Sequence, residues 1–256
     1  MQVALIPPVC QLHRITNRKY QMVIPEALSS GIYRSTYRYM RNKFILLDNG
    51  MFESCVWGYE TLIALALEYQ VDEIVMPDVR DEMNGTLQMT DSFLDMFCDS
   101  EAVDKKIGLQ IVVQYSEISQ VHDFISAALE MEWRHFGAHG VFTFGIPRRL
   151  VEKSGDYARV SVADMISLTA PKNPIHLLGY ARLHNPTFNE VQVLANNKQV
   201  RSIDTDAPFV WSARQSLLSD GVPRQRQERY FHLEPFLFEK DLLDKNIKLL
   251  DEWANG

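Results

Sequence analysis

The sequence predicts an α/β protein: a (β/α)8 TIM-like barrel, as a single domain over residues 1–256. Three observations carry this. Short apolar runs alternate with helical patterns along the chain, as in parallel strands joined by crossover helices. The runs are near-continuously apolar rather than alternating, as in strands covered on both faces. The chain has 256 residues, a length that fits one closed barrel. An open doubly wound sheet is the alternative architecture.

Seven strands are read at 2–6, 44–47, 73–76, 108–113, 141–144, 175–178 and 200–203, each rich in Val, Ile, Leu or Phe. The eighth is expected within 230–238. Helical stripes fill the gaps. Residues 59–69 align Leu62, Ile63, Ala66 and Leu67; 87–97 align Phe93, Leu94 and Phe97; 119–131 align Val121, Phe124, Ile125, Ala128 and Leu129. Further helices are expected at 161–168 and at 186–194, with Pro186 in a first turn. The last, 239–253, presents Leu242, Leu243, Ile247, Leu250 and Trp253. The segment 26–41 is helix-compatible and carries Arg34, Arg38 and Arg41 at helical spacing, interleaved with Tyr33, Tyr37 and Tyr39. It reads either as a solvated face anchored by tyrosines or as a phosphate-facing surface. A second basic cluster, Arg214, Arg224, Arg226 and Arg229, surrounds a turn at Gly221-Val222-Pro223. Two such clusters beside a barrel mouth can hold a nucleic-acid backbone.

Twenty-six Lys and Arg against 33 Asp and Glu leave a net charge of −7, which argues against a protein that coats nucleic acid non-specifically. Cys10, Cys55 and Cys98 lie far apart with no Cys-x-x-Cys spacing. This predicts free, buried thiols in a reducing, cytoplasmic setting. The first apolar run has no basic region before it, so no signal peptide is expected. No apolar run approaches ~20 residues, so no membrane span is expected.

Three strands end on acids: Asp48, Asp78 and Asp204. One acid alone reads first as the cap of the next helix. In a barrel, however, the C-terminal strand ends surround one active site, so three acids converge on one pocket. In chain order the strand ends read Asp48-Asn49-Gly50-Met51-Phe52-Glu53, Asp78, Val113-Gln114, Phe144-Gly145-Ile146-Pro147, His176-Leu177-Leu178-Gly179 and Ile203-Asp204. This order resembles the tRNA-guanine transglycosylase family, with its Asp-Ser-Gly-Gly-Phe-Gln strand end, later acid, Val-Gln strand end, Gly-rich strand end, Leu-x-Gly strand and nucleophilic Asp. The resemblance covers roughly residues 44–210. It implies that Asp204 is the nucleophile and Asp48 the general acid/base. It also implies that Asp78 and Gln114 read the purine edge, with Gly145 at the floor of the base pocket and Gly179 beside the base. From the residues alone, Gln114 also reads as a strand-end cap, Gly145 as a turn before Pro147, and Asp206 as a rival to Asp204.

The chemistry suits these residue types. Base replacement at C1′ needs a carboxylate that forms a covalent glycosyl intermediate and leaves again. The departing purine needs a proton donor, which a buried acid with a raised pKa supplies. Acids and an amide match the donors and acceptors of a purine edge. A base in a duplex must first be flipped out. No cofactor is implied, since neither Gly-x-Gly-x-x-Gly nor a P-loop occurs.

The family's Cys-x-Cys-x-x-Cys…His zinc site has no counterpart, because no Cys follows Cys98; no metal is expected. This departure favours the branch that inserts 7-deazaguanine bases into DNA, in bacteria and phages, over a tRNA partner. A non-catalytic nucleic-acid-binding subunit on the same barrel is the second reading. An unrelated barrel nucleoside hydrolase or metal-dependent lyase is the third. Among the histidines, His135 and His139 read as a loop pair, His176 as a core residue, and His184 as lying near the pocket.

Overall fold

Among the described residues, eight short runs pair in parallel: β1 (Gln2–Leu5), β2 (Tyr20–Val23), β3 (Phe44–Leu47), β4 (Glu73–Val75), β5 (Gly108–Val112), β6 (Thr143–Pro147), β7 (Ile175–Leu178) and β8 (Val200–Thr205). The computed structural model describes residues 1–40, 42–50, 57–180, 188–220 and 230–256. Arg41, Met51, Phe52, Glu53, Cys55, His184, Pro186, Arg224, Arg226 and Arg229 lie outside the described residues, as does the side chain of His139. Ladders run from β2 through β3 to β8 and on to β1. β1 and β2 meet at the seam, so the sheet is a nearly closed (β/α)8 barrel.

Ten α-helices are described: α1 (Gly31–Tyr39), α2 (Tyr59–Tyr69), α3 (Met83–Cys98), α4 (Glu101–Asp104), α5 (Val121–Phe136), α6 (Arg149–Ser154), α7 (Ala158–Thr169), α8 (Glu190–Ala195), α9 (Ala207–Ala213) and α10 (Lys240–Asn255). They cover the outward strand face, where Ile45, Leu47, Ile74, Ile111, Phe144, Ile146, Leu177 and Ile203 are all buried. Each such side chain contributes about 1.5–3 kcal/mol on leaving water. Cys10 and Cys98 are unpaired and half-buried rather than fully buried. No described helix is long and apolar enough to cross a membrane.

The eighth strand is β2, not a segment within 230–238. Its Gln21 broke the apolar pattern, yet Gln21 is fully buried and donates to the carbonyls of Ile15 (2.7 Å) and Arg18 (2.8 Å). Residues 230–238 instead form two short 3-10 turns, Tyr230–His232 and Pro235–Leu237, since Pro235 cannot donate to a ladder. β6 begins at Thr143, because Val141 is exposed. The helix expected from 186 begins at Glu190, where the Asn189 side chain accepts from the Gln192 N–H.

Inside the barrel, polar residues close the end opposite the mouth. A β-bulge between β7 and β8 pairs Ile175 with Val200 but His176 with Ser202, leaving Arg201 as the extra residue. A bulge re-aims such a side chain. Arg201 bonds Glu73 at 2.8 Å and lies over the rings of Phe44 and Tyr20, 4.9 and 5.7 Å from their centroids. Thr143 donates to the other Glu73 oxygen at 3.0 Å. This cluster occupies the N-terminal strand ends, opposite the mouth.

Candidate active site

Period-two alternation turns Ser202, Asp204 and Asp206 of the β8 segment inward, together with His176 and Leu178 of β7. At the C-terminal strand ends Leu178, Asp204 and Asp206 border a cavity of about 300 Å3, the lower end of the usual range for small-ligand sites. Asp48, Asp78, Gln114, Gly179 and Asp204 all line it, so five residues expected at the site meet in one place.

Asp204 is held on one side. His176 Nε2 lies 3.0 Å from Asp204 Oδ1, and the Gly179 N–H donates to the same oxygen at 3.1 Å. No other hydrogen bond is made to the Asp204 carboxylate among the described residues, and Oδ2 is not sealed from the cavity. His176 is held in turn: its Nδ1 lies 2.8 Å from Ser202 Oγ, which bonds the Tyr20 hydroxyl at 2.9 Å. An ionised Asp204 accepts only, so the proton sits on Nε2. Ser202 is fully buried beneath His176, so it is an anchor and not a nucleophile that substrate can reach. Asp206 also lines the cavity, at the N-cap of α9, without either of these two donors.

Across the cavity sits an acid–amide cluster. Asn49 Nδ2 donates to Asp78 Oδ1 at 2.7 Å, and Gln114 Nε2 donates to Asp78 Oδ2 at 2.6 Å. Gln114 Oε1 accepts from the Asp81 N–H at 3.0 Å, which fixes the amide orientation. Burial raises the Asp78 pKa; the two amides and the Arg80 charge oppose it without cancelling it. Asp78 therefore holds a proton more readily than an exposed carboxyl. Asp48, half-buried at the end of β3, completes the ring.

Gly145 stands apart from this lining. A Cβ there would come 2.6 Å from Gln110 Nε2, so the glycine makes room for a buried amide deeper in the barrel. The expected pocket floor is contributed instead by neighbours such as Val112, Pro147 and Leu178. Gly179 has φ +75°, a backbone conformation that strains other residues, and a Cβ there would press on Arg148 Cδ at 3.0 Å.

The expected phosphate stripe on α1 is divided. Tyr33 and Tyr37 are buried, with the Ile24 N–H donating to the Tyr33 hydroxyl (3.0 Å) and the Tyr37 hydroxyl donating to the Met22 carbonyl (2.7 Å). Tyr39 is exposed. Arg34 is exposed, but Arg38 pairs with Glu68 near the C-terminus of α2, the end that leads into β4, away from the mouth. Arg214 is exposed just after α9. The cations that do line the cavity are Arg80, Arg148 and Arg149. Arg149 bonds Asp81 at 2.9 Å, whereas Arg80 makes no hydrogen bond or ion pair among the described residues.

Sequence reasoning placed His176 in the core, where it is fully buried, but missed its bond to Asp204 and the places of Asn49 and Arg80. His176 carried a usable signal: alternation in 175–178 and 200–205 puts it and Asp204 on the same inward face. His135 closes α5 rather than lying in a loop, with Asp91 3.0 Å from Nε2 and Cys98 Sγ 3.9 Å from Nδ1. Among the described residues, no group of three or more His, Cys, Asp or Glu is arranged to hold a metal ion. In comparisons with known proteins, no family model and no curated protein matches this chain.

Proposed function

We propose that this barrel exchanges guanine in nucleic acid for a 7-deazaguanine base, through a glycosyl intermediate on Asp204. The observation that carries the reading is the one-sided grip on Asp204, with one oxygen fixed by two donors and the other left to the cavity, opposite a buried acid–amide cluster. In the first half-reaction Asp204 Oδ2 attacks C1′. The C1′–N bond breaks, its electron pair goes to the purine, and the purine takes a proton from Asp48. The incoming base then attacks C1′, gives a proton to Asp48 and displaces Asp204. Asp78, Gln114 and Asn49 supply polar partners for the base edge. His176 keeps the carboxylate aligned through both steps.

Arg80, Arg148 and Arg149 stand where the strand flanking a flipped nucleotide would pass, which supports a polymeric substrate over a free nucleoside. DNA is favoured over tRNA on the absence of the cysteine zinc motif. Incubating the protein with labelled guanine or a labelled 7-deazaguanine base, against DNA and tRNA in parallel, tests this. Label is expected in DNA. Label only in tRNA removes the DNA preference and keeps the exchange reaction; label in neither, across several bases, refutes the reading.

Phosphate contact at the mouth has its own signature. Arg80→Ala is expected to weaken oligonucleotide binding and flatten the log K against log salt slope by about one unit. Arg38→Ala should leave the slope unchanged. The reverse pattern places the backbone along α1 instead.

A further inference from the structure

We infer that the buried Arg159–Glu190 pair is a positioning device for Asp204, acting through the Gly179 carbonyl. The inference rests on the assignment of Asp204 as nucleophile. Arg159 lies in the first turn of α7 and Glu190 opens α8, and both are almost wholly buried, at 0% and 1% exposure. Arg159 Nη1 donates to the Gly179 carbonyl at 2.8 Å and stands 3.5 Å from Glu190 Oε2. Beyond this the pair is poorly matched. Arg159 Nε and Nη2, and both Glu190 oxygens, are buried without a hydrogen-bond partner among the described residues.

Two desolvated charges with most of their donors and acceptors unmet are a poor means of stabilising a fold. Well-packed apolar side chains of similar volume would serve packing at least as well. The placement fits a different use. Gly179 follows β7 with a positive φ of +75°, and glycine there is the least restrained of residues. Its N–H must point at Asp204 Oδ1, and its carbonyl is the group that Arg159 grips. Fixing the carbonyl fixes ψ at Gly179 and limits the swing of its N–H. The guanidinium charge also reaches the nucleophile. Burial weakens the hold of Arg159 on its proton, while the charges of Glu190 and then Asp204 strengthen it. Glu190 answers in kind: burial raises its pKa and Arg159 opposes the rise.

The test separates positioning from packing. The double variant Arg159→Met/Glu190→Met removes both charges and leaves neither unpaired. It is expected to fold with a thermal midpoint no lower than the parent. Base exchange should fall on the order of 100-fold in kcat, with KM for the oligonucleotide unchanged. Arg159→Lys keeps the charge but loses the planar fork; it should fold and recover part of the lost rate. A readout independent of turnover is the Gly179 backbone amide, followed by its hydrogen exchange in 15N NMR, since this N–H donates to Asp204 Oδ1 and its residue's carbonyl accepts from Arg159. Its exchange should quicken in the double variant and stay nearer the parental rate in Arg159→Lys. An unchanged turnover with an unchanged Gly179 amide overturns the inference, as does a double variant that loses stability and rate in parallel. Should the parent exchange no base at all, the exchange reading fails by itself, and the Gly179 amide alone still decides whether Arg159 holds it in place.

Discussion

Asp204→Asn is expected to abolish base exchange, by about 1,000-fold or more in kcat, while leaving the barrel intact. Asparagine keeps one carbonyl oxygen. That oxygen can accept from His176 Nε2 and from the Gly179 N–H, as Asp204 Oδ1 does at 3.0 and 3.1 Å. The cost in stability should stay below about 1 kcal/mol, a shift of about 2–4 °C in a chain of this size. The lost atom is the one that matters: the cavity-facing oxygen becomes an NH2 group that cannot form the glycosyl ester. Denaturing gels with a substrate oligonucleotide should show a covalent adduct for the parent and none for the variant. A fully active Asp204→Asn protein would falsify the mechanism, and Asp206, two residues further along β8's path into the same cavity, would be the next carboxylate to examine.

Asp48→Asn should separate binding from chemistry. Asp48 is half-buried at the end of β3, on the cavity wall but away from the mouth arginines in sequence and strand. Asparagine matches it in size, so oligonucleotide affinity should hold within about twofold. Loss of the proton donor should lower kcat by about 100- to 10,000-fold, the range of general acid/base groups. Measuring affinity by filter binding and turnover by base incorporation gives the two numbers separately. Loss of affinity with turnover preserved would show Asp48 to be a phosphate-region or folding residue rather than the acid.

The sequence carried the alternation of strands and helices because each strand here is buried on its outward face. That produces runs such as Phe44–Leu47 and Ile175–Leu178 that need no structure to be seen. It failed at β2, where a buried Gln21 satisfies its amide through two backbone carbonyls rather than avoiding the interior. It failed again on α1, where helical spacing grouped the arginines but could not say that Arg38 faces Glu68. Helical periodicity reports a face, not the neighbour that meets it.

Asp48, Asp78, Gln114, Gly179 and Asp204 were legible as a set because closure of a parallel barrel brings every C-terminal strand end to one rim, whatever the loops do. Their arrival in one cavity follows from topology alone. Which oxygen of Asp204 is held, and by what, was decided only in three dimensions. His176 and Asp204 are 28 residues apart and meet through register, after a bulge shifts β8 by one residue against β7. Gly145 shows the same limit from the other side: its place beside Gln110, below the cavity, depends on how two adjacent strands share the barrel interior. Strand order and inward alternation are local properties written into residue pattern. Register, and the hydrogen-bond partners it selects, are properties of two segments at once, and only the folded barrel sets them.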